Sequence, residues 1–425
     1  MKKKSIFYGW WIVVSCFVLM FVMMSIVSMV MGIFVIPVSA ELNISRTQFS
    51  LYFTILSGVG LLISPAIGRS KMDLRVMTSL GVILCGICFM ALGYCKNLIM
   101  FYIISVVMGI GFKICTNIPA SILLANWFKE KSGTAVGIAF AGAGIGNMIF
   151  TPIANYLISV YGWRSAYVVL GVLMMIITLP FTMFIIKNKP SDLGIVAYGE
   201  KKHSRSAKAG GKEEVQGYTL SELMKTPFFW IIMFCMIVVN IVSCGINSHL
   251  PSYMQDIGHS ATFAAFIVSS GSLMLTFGKV ILGFMSDKLG GTSIVAISCV
   301  ALTLSLVVLM GSPVTLVAIL AGLLHGFGTS FGSVGPPIIT RQLFGEKDYS
   351  SVMSVVSMTS GIGMAIGAPF CGIIYDLTGE YTLSWIIFLI AMIGCTAWFL
   401  ISLKNHEKRA TIVFTKDGYE KMGKI

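Results

Sequence analysis

Four ionisable side chains stand well inside long apolar runs of this chain: Lys113, Lys279, His249 and His325. No acidic residue accompanies them, since Glu41, Asp256 and Asp376 fall at the ends of such runs. An ionisable group in hydrocarbon is costly, and it usually lines a cavity or faces a partner. Two lysines without an acid suit an anionic ligand. Lys113 is followed by Thr116 and Asn117 at the third and fourth positions, which share its face on a regular helix. It stands ~20 Å of helix from Asn126 at ~1.5 Å per residue, too far for its stem to reach the surface. The alternative is a lysine satisfied by helix carbonyls or hydroxyls, or left neutral by burial. Lys279 precedes Asp287 by ~12 Å of helix, so contact with a ligand competes with snorkelling to the surface. His249, with Asn240, Ser243 and Asn247 before it, reads either as a proton-coupling group or as a histidine bonded to a loop carbonyl. His325 lies in Gly322-x-x-x-Gly326, where close helix packing can bury it neutral.

The elements that carry these groups follow from composition. The chain has 425 residues, 56% of them hydrophobic and 11% charged, with a mean hydropathy of +0.89. A soluble protein carries about a quarter charged residues. Apolar runs near the ~20 residues that cross a bilayer recur throughout, and they do not alternate in polarity as barrel strands would. Backbone groups in lipid must be satisfied internally, so the runs are expected to be helices and the fold class all-α integral membrane. Twelve spans are placed near 10–37, 47–68, 76–95, 98–125, 132–160, 165–186, 228–254, 261–285, 293–311, 314–339, 351–375 and 382–402. The first apolar run is too long for a signal peptide and lacks a small-residue cleavage site, so it reads as a span.

Charge sets the expected orientation. With an inside N-terminus, every Lys and Arg falls on the cytoplasmic side except Arg46, Lys96 and Arg164, which fall outside, and Lys113 and Lys279. This positive-inside bias places both termini in the cytoplasm, and it accounts for the net charge of +13 without nucleic acid. The polar stretch at 188–226 reads as a cytoplasmic linker between six-helix halves at 1–187 and 227–403, with a polar tail at 404–425. The halves repeat. Gly109, Gly111 and Pro119 recur as Gly326, Gly328 and Pro336. Gly144, Gly146, Pro152 and Gly162 recur at the same offset as Gly361, Gly363, Pro369 and Gly379. Such duplication is common in secondary transporters that bind substrate between rocking halves. Gly142 and Gly146, like Gly363 and Gly367, have the spacing for close helix approach. No motif for a nucleophile, metal or cofactor is present, and Cys85-x-x-Cys88 reads as buried inert thiols.

Gly283-Phe284-Met285-Ser286-Asp287-Lys288-Leu289-Gly290 resembles the signature loop of the major facilitator superfamily. Its counterpart, Gly68-Arg69-Ser70-Lys71-Met72-Asp73-Leu74-Arg75, keeps the glycine but displaces the aspartate. Tyr8-Gly9-Trp10-Trp11, Asn126-Trp127-Phe128, Gly162-Trp163-Arg164, Pro190-Ser191-Asp192-Leu193-Gly194 and His249-Leu250-Pro251-Ser252-Tyr253 are similar to the oxalate–formate antiporter and monocarboxylate transporter branch. The resemblance implies a monomer in the inner membrane, with the first, fourth, seventh and tenth spans lining a central cavity. It also implies gating by Gly283, Asp287 and Lys288. Lys279 stands where the resembling antiporters carry a substrate-contacting arginine. They use a second basic residue on span eleven, where 351–375 holds none. Lys113 can supply that charge from another helix.

The expected function is secondary transport of a small organic anion, a mono- or dicarboxylate, by exchange or with protons. The expected binding residues are Lys113, Lys279, Asn117, His249, Asn247 and Asn240. An exporter of amphiphilic compounds on the same fold is the rival.

Overall fold

The computed structural model describes residues 7–200, 217–311 and 314–401. Lys2-Lys3-Lys4, the middle of the linker and the tail at 404–425 lie outside the described residues. Among the described residues, eleven helices are long and apolar enough to cross a membrane. The longest, Ser132–Ile185, is two spans: Gly162 adopts φ 77° and ψ 161°, a conformation that a side chain would strain, and the chain turns there. Twelve spanning helices result among the described residues. They are α1 (Gly9–Leu42), α2 (Gln48–Arg69), α3 (Leu74–Leu92), α4 (Leu98–Trp127), α5 (132–161) and α6 (163–185). After the linker come α7 (Pro227–Asp256), α8 (Ala261–Leu289), α9 (Gly291–Met310), α10 (Thr315–Phe344), α11 (Tyr349–Thr378) and α12 (Thr382–Ile401). The all-α membrane fold expected from composition is the one found.

Lipid gives helices little hydrophobic reason to associate, so close packing and interhelical hydrogen bonds matter more. Glycines mark the tightest seams. A methyl group at Gly142 or Gly146 of α5 would overlap the α1 backbone at Phe17 and Phe21. Opposite them α1 widens into π-helical turns over Met20–Met29, and the Ser25 hydroxyl donates to the Ala143 carbonyl at 2.8 Å. Gly363 and Gly367 of α11 press in the same way on Asn240 and Ile241 of α7. Gly322 and Gly326 of α10 meet Ile267 and Gly271 of α8.

The linker is bonded at both ends to equivalent loops. Tyr198 N–H donates to Trp127 O, and its carbonyl accepts from Lys129 and Glu130 N–H. Tyr218 N–H donates to Phe344 O, and Leu220 N–H to Asp348. Thr219 and Glu222 cap the short helix Leu220–Leu223 reciprocally. The Thr219 N–H holds the Glu222 carboxyl below its ordinary range. Residues of the motifs at 8–11 and 126–128 also staple the start of the linker. Tyr8 donates to Ile185 O, Trp127 Nε1 to Lys187 O and Asn126 to Asn188 O.

Gly146→Ala should cost about 1–3 kcal/mol, the usual range for overpacking. Gly32→Ala, where no atom lies within 4 Å of an added methyl, should stay within about 0.5 kcal/mol. Unfolding of the purified variants in detergent checks the contrast.

Candidate functional site

Lys279 lies in α8 on the seam with α5, one of the places where the first six helices meet the last six. Its side chain is 5% exposed, and the ammonium donates to the Phe140 carbonyl of α5 at 3.3 Å. It therefore does not snorkel. The seam is tight because Gly137 of α5 packs on the Lys279 backbone, and Gly144 leaves room for Thr276. No carboxylate pairs with this lysine among the described residues.

Lys113 has neither a hydrogen bond nor an ion pair among the described residues. Its stem lies against Gly60 of α2. The regular face shared by Lys113, Thr116 and Asn117 is not found. Pro119 has no N–H and its ring excludes the carbonyl four residues earlier. α4 breaks at Thr116, with φ −109° and ψ −123°, and resumes at Asn117. Thr116 is buried and donates back to Phe112 O at 2.6 Å. Asn117 Oδ1 is buried without a partner. The break puts an unsatisfied amide and the N-terminal end of a half-helix one turn beyond an unpaired ammonium. Discontinuous spans of this kind hold anionic groups in other transporters.

The histidines are placed differently. His249 Nε2 lies 3.0 Å from Ala368 O and must donate to it, while Nδ1 lies 3.1 Å from the Tyr381 hydroxyl. These contacts tie α7 to α11 and to Tyr381, just before α12. His325 is 5% exposed beside Gly326, with Thr329 as its hydroxyl neighbour at 3.4 Å. Asn240 donates to Met236 O at 2.7 Å and sits where α7, α10 and α11 converge, beside Gly332 and Gly363. Asn247 is exposed on α7, on the side away from Gly245, which packs against Phe388 of α12.

Asp287 ends α8 and caps the other half. Oδ1 accepts from Gly133 N–H at 2.8 Å; Oδ2 accepts from Thr134 N–H at 2.7 Å and from its hydroxyl at 2.6 Å. These are the free donors of the first turn of α5, where a carboxylate also meets the positive end of the helix dipole. Gly283 makes the approach feasible, since a methyl there would overlap Gly133 O. Lys288 stays exposed, its ammonium 4.5 Å from the centre of the Phe284 ring. The displaced Asp73 behaves otherwise: it accepts from Arg75 N–H at 2.8 Å and caps its own helix α3. Gly68 nonetheless packs on Ser350 and Ser354 of α11.

Two further charge clusters were not singled out from sequence. Arg341 pairs with Glu346 at 2.9 Å and donates to Phe128 O, while Lys129 pairs with the same glutamate. This joins the halves on the linker side beside Asp287. The repeat of Glu-Lys at 130–131 and 346–347 was the available signal. At the opposite end Arg164 binds Glu41 at 2.9 Å and the carbonyls of Gly93 and Cys95, and Trp163 Nε1 shares the carboxylate.

The model of the Major Facilitator Superfamily matches residues 16–337 and 266–417. Monocarboxylate transporter 12 of Rattus norvegicus is 23% identical, over 91% of this chain and 83% of its own length. Monocarboxylate transporter 13 of Bos taurus is 24% identical, over 84% and 78%. Monocarboxylate transporter 14 of Mus musculus is 22% identical, over 91% and 88%. With its duplicated helices, the Asp287 loop and a family match across the chain, this protein belongs to the major facilitator superfamily.

Proposed function

We propose that this transporter moves a small organic anion, a mono- or dicarboxylate, across the cell membrane by alternating access. The observation that carries the reading is the pair of intramembrane ammonium groups, Lys113 and Lys279, with no carboxylate paired to either among the described residues. The names of the relatives point to the same substrate class. Bodies at 1–187 and 227–403 rock against each other, and the linker side is cytoplasmic.

On this reading the substrate supplies the acceptor that each ammonium lacks. Lys279 exchanges the neutral Phe140 carbonyl for a carboxylate, which adds an opposite charge to a bond the ammonium already makes. Lys113 contributes from the first half, with Asn117 across the break in α4, and Asn240 and Asn247 of α7 are the proposed contacts from the second half. Binding offsets both charges and lets the halves close around the anion. An empty carrier brings two unpaired charges towards each other, so its return is slow and exchange outruns net flux. His249 couples protons only if Tyr381 turns to accept from Nδ1. The Asp287 cap keeps the linker side shut until the α5–α8 seam opens.

Exchange of labelled lactate, oxalate, formate and succinate in proteoliposomes, with and without a pH gradient, tests this. One acid should move in wild type and fall about 10- to 100-fold in Lys113→Ala and in Lys279→Ala, the range for losing a hydrogen bond to a charged group. Flux indifferent to both lysines would move the assignment to an exporter of amphiphilic compounds. Asp287→Asn should slow transport several-fold and leave carboxylate affinity within about twofold, because it removes charge at a helix end and not at the ligand. Equal loss of both would rule out a gating role.

A further inference from the structure

Gly60 of α2 has no functional group, and it is the residue against which the Lys113 stem lies. A methyl group added there would stand 2.7 Å from Lys113 Cγ, 2.8 Å from Cε and 3.3 Å from Cδ. Three successive carbons of the lysine thus run along the missing side chain. The groove is fixed from the other side as well. One helical turn earlier on both helices, Gly109 of α4 packs on Leu56 of α2, with 2.6 Å between an added methyl and the Leu56 carbonyl. The next residue of α2, Leu61, reaches the other half, where its side chain meets Gly361 of α11. The same turn of α2 therefore holds Lys113 on one face and borders the inter-half seam on the other.

We infer that Gly60 is the positioning residue for the Lys113 ammonium: its bare α-carbon provides the groove that lays the stem along α2 and sets where the charge is presented between the halves. A lysine with a long flexible stem and no bonded acceptor among the described residues has little besides this groove to fix its rotamer. Side-chain freedom of a lysine is among the largest of any residue, and a charge misplaced by about 1 Å can lose much of its effect on a bound substrate. Alanine at position 60 leaves the fold of α2 intact and displaces the stem, because the atoms it meets belong to a flexible side chain and not to backbone. Gly58, two residues away and facing open space, is the matched control.

The transport arm of the test rests on the carboxylate reading of Lys113; the labelling arm does not. Purified wild type, Gly60→Ala, Gly58→Ala, Lys113→Ala and the Gly60→Ala/Lys113→Ala pair are treated with methyl acetimidate, and amidination of Lys113 and Lys279 is followed by peptide mass spectrometry. Gly60→Ala should change the Lys113 rate several-fold and leave Lys279 unchanged, and Gly58→Ala should change neither. In proteoliposomes, the acid that wild type exchanges fastest among lactate, oxalate, formate and succinate should show a KM raised about tenfold in Gly60→Ala with kcat within about twofold, equivalent to ~1.4 kcal/mol of binding. That effect should be absent when Lys113 is already alanine, as expected of a residue acting only through another. An unchanged Lys113 rate in Gly60→Ala would overturn the inference. So would a KM effect of equal size in the Lys113→Ala background. A changed rate with an unchanged KM would support the positioning role and overturn the carboxylate reading. If Gly60→Ala does not fold, recovery of folding in the double variant supports the inference, and failure of both overturns it.

Discussion

A lysine ammonium taken out of water loses solvation that one backbone carbonyl does not replace. Both intramembrane lysines face this constraint, and the architecture around them answers it only in part. Lys279 is given the Phe140 carbonyl across the seam, an acceptor already engaged in its own helix. Lys113 is given a groove over Gly60 and no acceptor. The break in α4 at Thr116, the unpaired Asn117 oxygen and the glycine-lined α5–α8 seam all lie around these two charges. On the proposed reading, two under-satisfied ammonium groups hold binding energy in reserve for an anion, and charge, not shape, carries that reading.

The proposed gate and the proposed site share a helix. α8 presents Lys279 to α5 at one depth and Asp287 to the first turn of α5 at another, so the seam that buries the ammonium is the seam the carboxylate closes. The equivalent position in the first half does not reciprocate. Asp73 caps α3 instead of reaching α11, and that interface rests on Gly68 against Ser350 and Ser354. Closure on the linker side is therefore asymmetric, with one anionic helix cap supplemented by Arg341, Glu346 and Lys129.

Span number and order were legible in hydropathy because lipid leaves the backbone no choice but helices. The division at Gly162 was legible too, since a polar Trp-Arg pair follows it. The break at Thr116 was not foreseen: Pro119 was read as part of the repeat, and its effect falls three residues upstream, on the face presumed to continue from Lys113. Asp287 was found through a resemblance, but its partners, Gly133 and Thr134, are backbone donors and leave no trace in residue type. Glu41 likewise looked like a span end until folding brought Arg164 and Trp163 to it. Gly60 carries no chemistry of its own, so only the course of a neighbouring side chain reveals it.

On the proposed reading, the groups on either side of the inter-half seam hold an anion. Calorimetric titration of the purified protein with oxalate, lactate and succinate, beside choline as a small organic cation, tests it without requiring transport. The account predicts saturable binding of at least one carboxylate and none of choline. Saturable choline binding with no carboxylate binding would contradict it.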